Sequence, residues 1–448
     1  MGYGDLGCYG QKTLTTPRID ELASHGMRFT RHYAGATVCA PSRAALLTGK
    51  HPGHISVRGN APPGQLLLDS EVTLAEIFKR NGYATAAIGK WGVGHPPSLD
   101  DPKKNGFDHF FGYVNMWHAH NFYPEFLYRN GEKVPLPGNI TNRNLPYDKD
   151  MPEGTGVAQT KTSHTFYELQ NEALTFIEKN KNNPFFLYYA LNMPHANNEA
   201  GYFLNDGMEV PDYGAFEGQK WPNPEKGFAR MMEMVDQTVG NILSKLNEAG
   251  VAQNTIVVFA SDNGPHEEGN HQAEFFNSNA GLRGTKRDLY EGGIRVPMIV
   301  HWPGKVPAGN VSEHVSAFWD WLPTLCELAS IPSPSGLTDG VSFAPTLLGK
   351  PRLQKPHDFL YWEFYELGGR QALLQENWKY IKLNVKSADP NQVVRELYDL
   401  SKDPGETDNL IGEYPRVVQK LDSLMKTAHV PHPLVSLFAP QGKTETKF

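Results

Sequence analysis

Four short, largely apolar runs separated by helical stretches restrict the fold of this chain more than any other feature. They occupy residues 83–88, 185–189, 255–259 and 296–301. A strand that is apolar at every position must be covered on both faces, as in a largely parallel sheet sandwiched by helices. The helices between the runs carry their own signals. Thr73-Leu74-Ala75-Glu76 forms a capping box, opening a helix that stops at Asn81-Gly82. Phe166, Leu169, Ala173, Phe176 and Ile177 keep helical spacing until Asn182-Asn183-Pro184 breaks it. A further helix falls within 225–249, with Gly250 as its C-cap. The expected class is therefore α/β, with polar residues gathered beyond the carboxyl ends of the strands, where open α/β sheets bind ligands. Residues 96–156 and 197–224, rich in aromatics, His, Asn and Pro, read as ordered substrate loops. After about residue 355 the pattern changes. Residues 359–364, 378–383 and 395–400 read as short antiparallel strands, and 414–427 as an amphipathic helix packed on them. The expected division is a catalytic domain over 1–350 and a smaller α+β subdomain over 351–448.

Composition narrows the function classes. With 448 residues, 39% hydrophobic and 20% charged, the chain can bury a sizeable core. A net charge of −7 without a basic block argues against a nucleic-acid groove or an anionic membrane surface. No apolar run approaches the roughly 18–20 residues that span a bilayer. Three cysteines, Cys8, Cys39 and Cys326, cannot build a disulfide framework. Nothing at Met1 has the form of a secretory signal.

The informative stretch is Cys39-Ala40-Pro41-Ser42-Arg43 with Thr48-Gly49. It matches the pattern C-x-P-S-R-x4-T-G at every fixed position, the signature of the sulfatases. Further landmarks follow in family order: Gly4-Asp5-Leu6-Gly7, Ile88-Gly89-Lys90-Trp91, Pro194-His195, Ser261-Asp262-Asn263-Gly264-Pro265 and Tyr290-Glu291-Gly292-Gly293. The chain is identified as a member of the formylglycine-dependent sulfatases. It resembles the bacterial glycan-sulfatase branch, akin to arylsulfatases and N-acetylgalactosamine-6-sulfatase. The resemblance implies an alkaline-phosphatase-like fold and hydrolysis of sulfate esters, on a carbohydrate such as sulfated galactose or N-acetylgalactosamine.

It also implies roles. Cys39 would be oxidised by a maturase to formylglycine, whose hydrated aldehyde attacks sulfur with one hydroxyl and releases sulfate with the aid of the other. Arg43 would hold the diol oxygens. Lys90, His195 and Lys286 would bind the sulfate oxygens, and Lys286 or His195 would protonate the leaving alcohol. Asp262 and Asn263 match half of the family's Ca²⁺ site. Histidine-rich loops near the motifs supply candidate glycan contacts: His51, His54, Arg58 and Asn60 after the signature, and His118, His120 and Asn121 in the aromatic loop. Glu291 reads as a loop-ordering residue.

Two departures from the family pattern stand out. The family's opening strand and its two adjacent aspartates, the other calcium ligands, are expected upstream of Met1. The expectation is that Met1 is an internal methionine of a longer, exported chain, periplasmic or extracellular; the alternative is a fragment that binds calcium poorly. Many relatives also carry His two residues after Lys90, where this chain has Gly92, leaving His95 as a substitute. The competing functions are a phosphoester hydrolase of the same superfamily and a glycan-binding remnant without turnover.

Overall fold

The computed structural model describes residues 1–60, 66–94, 99–148, 150–332 and 336–438. The Thr73 capping box forms as expected, with Thr73 accepting the Glu76 N–H and Glu76 accepting the Thr73 N–H, over the helix Leu74–Arg80. It delivers the chain into the strand Ala84–Lys90, the middle of a parallel trio with His109–Tyr113 on one side and Phe185–Ala190 on the other. Phe126–Arg129 and Glu132–Pro135 extend this sheet antiparallel to five strands. The helix Thr165–Asn180 covers it, burying Leu169, Ala173 and Phe176 against Ala86, Ile88 and Phe111.

The other two apolar runs build a separate, mixed sheet. Val257–Ala260 pairs antiparallel with Met298–His301, which pairs antiparallel with Met27–Phe29, and Asn310–Ser312 closes the edge in parallel. The parallel expectation thus holds for the first sheet and needs amending for the second. A fully apolar run says that both faces are covered and nothing of pairing direction. Between Val257–Ala260 and Met298–His301 the chain returns by loops and the single-turn helix Glu291–Ile294, not by a long crossover helix. The long helix Asn223–Glu248 and the helix Pro17–His25 cover this side, packing Phe228, Met231, Met232 and Val235 with Ile19 and Leu22.

Phe185–Ala190 and Val257–Ala260 are edge strands with one partner each, and both line one cavity of about 1100 Å³. Apolar side chains form much of its wall, among them Leu22, Phe78, Phe186, Val235, Ile242 and Trp321.

Beyond the helix Ala344–Leu347, four antiparallel strands follow one another in chain order: Leu360–Phe364, Arg370–Gln375, Trp378–Leu383 and Val394–Asp399. The helix Pro415–Ala428 lays Leu421 and Met425 against Tyr361, Leu373, Tyr380 and Leu397. Two buried charge clusters tie this sheet to the catalytic body. Lys379 lies 2.9 Å from Glu291 and 2.8 Å from Glu406, all three without solvent exposure. Arg58 donates to Glu363, which also accepts from Tyr361 at 2.7 Å and pairs with His429 at 2.8 Å. No helix among the described residues is long and apolar enough to cross a membrane.

Candidate active site

Cys39 opens the helix Cys39–Thr48, in which every residue but Leu46 is buried. Each signature residue has a local task. Pro41 sits in the first turn, where backbone N–H groups have no intrahelical partner. Ser42 Oγ accepts the Gly35 N–H at 3.0 Å, and the Thr48 hydroxyl donates to the Ala44 carbonyl at 2.8 Å. Gly49 ends the helix at φ +68°, where a Cβ would stand 2.6 Å from Thr338 Oγ1. The dipole at the helix N-terminus favours negative charge at Cys39.

Cations gather around that point. Lys90, the last residue of its strand, brings Nζ to 3.5 Å from Cys39 Sγ. Arg43 donates through Nε and Nη2 to one oxygen of Asp262, at 3.0 and 2.8 Å, and through Nη1 to the Lys90 carbonyl. Asn263 Oδ1 lies 3.7 Å from Cys39 Sγ. Lys286 Nζ donates to His195 Nε2 at 2.9 Å and to Glu268 at 2.7 Å. Cys39, Arg43, Lys90, His195, Asp262, Asn263 and Lys286 all line this cavity, so the structure brings together the residues that the motifs single out.

The electrostatics suit an anion. Burial, then the neighbouring Arg43 and Lys286, push the Lys90 ammonium below its ordinary range. Burial alone would raise the Asp262 carboxyl, but Arg43 and Lys90 outweigh it and hold that group below the usual carboxylate range. Burial and Lys286 push His195 well below an ordinary histidine, so its imidazole is neutral. Its Nδ1 donates to the Ala196 carbonyl at 2.7 Å, which leaves the Nε2 lone pair to accept from Lys286. The His195 ring lies between His120, at 5.0 Å and 8°, and His266, at 5.6 Å and 24°.

The calcium expectation meets an incomplete donor set. Ca²⁺ takes about six to eight oxygen ligands. Among the described residues the site offers Asp262 and Asn263, and Asp262 is engaged by Arg43. Asp5 accepts the Gly2 N–H at 2.6 Å instead. These residues do not by themselves make a calcium centre, and no chemistry is routed through one. A second grouping, His51, His54 and Asp339, brings three ligand-type atoms within 4.8 Å of one another. His51 Nδ1, however, accepts the Gly53 N–H at 3.1 Å, which places the ring proton on Nε2, the nitrogen facing Asp339. With the His51 backbone N–H donating to Asp339 at 3.0 Å and His54 Nδ1 2.8 Å from it, the trio is a hydrogen-bonded clasp.

The outer candidates divide. His120 joins the site through its stack on His195. Arg58 is 3% exposed and spent on Glu363 and the carbonyls of Pro52, Gly53 and Val430. His51 and His54 belong to the Asp339 clasp. Asn60 accepts the Ala40 N–H at 3.0 Å, steadying the start of the nucleophile helix. Asn121 is fully buried, accepting the Tyr123 N–H and donating to the Gly154 carbonyl, while His118 packs among Tyr113, Phe126 and Tyr128. His95 lies outside the described residues. Gly92 has φ +78°, and a Cβ there would come 3.1 Å from Arg43 Cδ, so the position many relatives give to His is here pressed against the guanidinium. Residues that sequence reasoning missed are Glu268 and His266, just past the Asp262-Asn263 motif, and Glu199, 3.4 Å from His120 Nδ1. Their only sequence signal was closeness to a motif or to the aromatic loop.

Comparison with known proteins decides the family. The profile described as "Sulfatase" matches residues 1–331, and that of the C-terminal part of N-sulphoglucosamine sulphohydrolase matches 284–430. The chain belongs to the sulfatase family. It is 33% identical to human arylsulfatase A, over 95% of this chain and 85% of that protein. It is 32% identical to human N-acetylgalactosamine-6-sulfatase, over 80% of this chain and 65% of that one. Among solved structures, Ps i-CgsB in complex with k-i-k-neocarrahexaose superposes with a TM-score of 0.77 at 26% identity, over 95% and 90% of the two chains. A Bacteroides thetaiotaomicron protein, studied for the metabolism of multiple glycosaminoglycans, gives 0.76 at 27% identity, over 95% and 96%. This sulfatase therefore has the alkaline-phosphatase-like fold and is a sulfuric ester hydrolase.

Proposed function

We propose that this sulfatase removes sulfate from a carbohydrate, with Cys39 matured to formylglycine as nucleophile. The observation that carries the reading is Cys39 at a buried helix N-terminus, 3.5 Å from Lys90, in one cavity with Arg43, His195 and Lys286. When formed, formylglycine supplies a hydrated aldehyde for attack and for release of sulfate. Arg43, anchored by Asp262 and the Lys90 carbonyl, brings its positive charge to the cavity that Cys39 lines. Lys90 and Lys286 meet the charge of the sulfate oxygens, and charge growing on the leaving oxygen is met by a proton from the Lys286–His195 pair. Relatives that are N-acetylgalactosamine-6-sulfatases, and a structural neighbour holding a carrageenan-type oligosaccharide, support a sulfated galactose or N-acetylgalactosamine unit as substrate. Calcium, usual in the family, would sit at Asp262 and Asn263 only with further oxygen ligands.

The test is sulfate release, read by ion chromatography, from 6-sulfated galactose and N-acetylgalactosamine by protein co-produced with a maturase. Peptide mass spectrometry at Cys39 accompanies it. Release that disappears in Cys39→Ala supports the reading. Faster hydrolysis of matched phosphate esters, or sugar binding without sulfate release by matured protein, overturns it.

A further inference from the structure

Glu268, its side chain 13% exposed, is the acid nearest the proposed proton donor, and none of the motifs above includes it. One oxygen accepts from Lys286 Nζ at 2.7 Å and lies 3.1 Å from His195 Nε2; the other accepts from Arg287 at 2.7 Å. Its backbone N–H donates to His266 Nδ1 at 3.1 Å, and His266 Nε2 donates to the Pro194 carbonyl at 2.6 Å, so the loop on which it sits is pinned to the residue before His195. The tautomer of His195 makes this arrangement directional. Because Nδ1 gives its proton to Ala196, Nε2 carries a lone pair and has no proton to offer Glu268. A carboxylate oxygen and a lone pair 3.1 Å apart repel unless a shared hydrogen donor stands between them, and Lys286 Nζ is that donor. The Lys286 side chain is only 3% exposed, a setting in which an ammonium without a counter-charge gives up its proton.

We propose that Glu268 is a positioning residue of this sulfatase: it keeps Lys286 charged and aimed as the proton donor to the leaving alcohol, with His195 as a neutral acceptor that fixes its direction. This rests on the sulfate-ester reading above. As the sulfur–oxygen ester bond breaks, its electron pair passes to the leaving oxygen, which takes a proton from the Lys286 ammonium. The amine left behind regains the proton that the attacking hydroxyl gives up, so the turn of the cycle closes. The groups facing Lys286 are His195, Glu268 and Lys90, with Arg287 and His266 behind Glu268.

The experiment compares matured wild type, Glu268→Gln and Glu268→Asp on aryl sulfates of graded leaving ability, from 4-nitrophenyl sulfate to unactivated phenyl sulfates, across pH. A general acid contributes about 10²–10⁴-fold, and most where the leaving group is poor. Glu268→Gln should therefore lose on the order of 10²-fold on unactivated esters and less than about tenfold on 4-nitrophenyl sulfate. The alkaline limb of its kcat/KM profile should move to lower pH, because Lys286 has lost its counter-charge. Glu268→Asp, which keeps the charge, should recover part of the loss and the limb, and it serves as the test should the Gln variant not fold. An equal loss on every ester with an unmoved alkaline limb overturns the proposal while leaving the sulfatase reading intact. No sulfate release by matured wild type overturns both.

Discussion

The C-terminal sheet and the sheets of the catalytic body solve the same backbone problem in opposite ways. In the C-terminal sheet, strand follows strand in chain order, Leu360–Phe364 is buried at every position, and the clusters around Lys379 and Glu363 lock it to the body. In the body, strands distant in sequence are brought together, and Phe185–Ala190 and Val257–Ala260 each stop with one partner, bordering the cavity that holds the catalytic cluster. The first region closes on itself with local contacts and stores stability. The second is assembled from segments distant in sequence, and the polar groups that do chemistry stand at the ends of its strands. The contrast teaches that stability and activity are carried by separable parts of this molecule.

The largest expected effect tests the activity side. Cys39→Ala should cost on the order of 10⁴–10⁶-fold in sulfate release. Its melting temperature should stay within a few degrees of wild type, since the thiol's polar contacts are long, at 3.5 and 3.7 Å. A collapse of the fold in that variant would break the separation. Next comes Lys379→Met, which strands two buried carboxylates and should cost about 3–5 kcal/mol in urea unfolding. A loss under about 1 kcal/mol would mean that the C-terminal sheet is not the store of stability described. Leu373→Ala, in the fully buried C-terminal core, should cost about 2–5 kcal/mol in the same assay.

The last expectation is a pH dependence of stability. Burial, and Glu291 competing for the same Lys379, push the Glu406 carboxyl up to about 7, from an ordinary value of 4.5. Between those values the folded protein holds a proton that the unfolded chain has released. Stability should fall as pH rises through that window and level off above it. In Glu406→Gln this slope should vanish, which melting curves across the window would show.

Much of this architecture was legible in the sequence because its signals are local. The Thr73 capping box, the helical spacing from Phe166 to Ile177 and the strand Trp378–Leu383 each declare themselves within one turn or one pleat. The signature placed Cys39 and Arg43 for the same reason: they share one helix. What stayed hidden depends on distant partners. The hairpin Phe126–Pro135 was absorbed into a stretch read as loops, although Asn130-Gly131, both at positive φ, is a strong hairpin-turn pair. The strand Arg370–Gln375 was not expected, although it is as long as Trp378–Leu383. The antiparallel course of Met298–His301 could not be read from a run apolar at every position. Arg58 looked available for sugar until the fold supplied Glu363, more than 300 residues away in sequence. Glu268 carries no periodicity, and its partners are defined only once the loops bearing His195 and Lys286 meet.

The stack of His120, His195 and His266 has a use beyond catalysis. With ring centroids 5.0 and 5.6 Å apart and nearly parallel planes, the middle imidazole lies within reach of the ring currents of both neighbours. Its carbon-bound protons should resonate away from those of an isolated histidine. Any sugar that slides His120 aside, or any anion that draws Lys286 away, would change that overlap, giving the pocket a built-in magnetic reporter of its own occupancy.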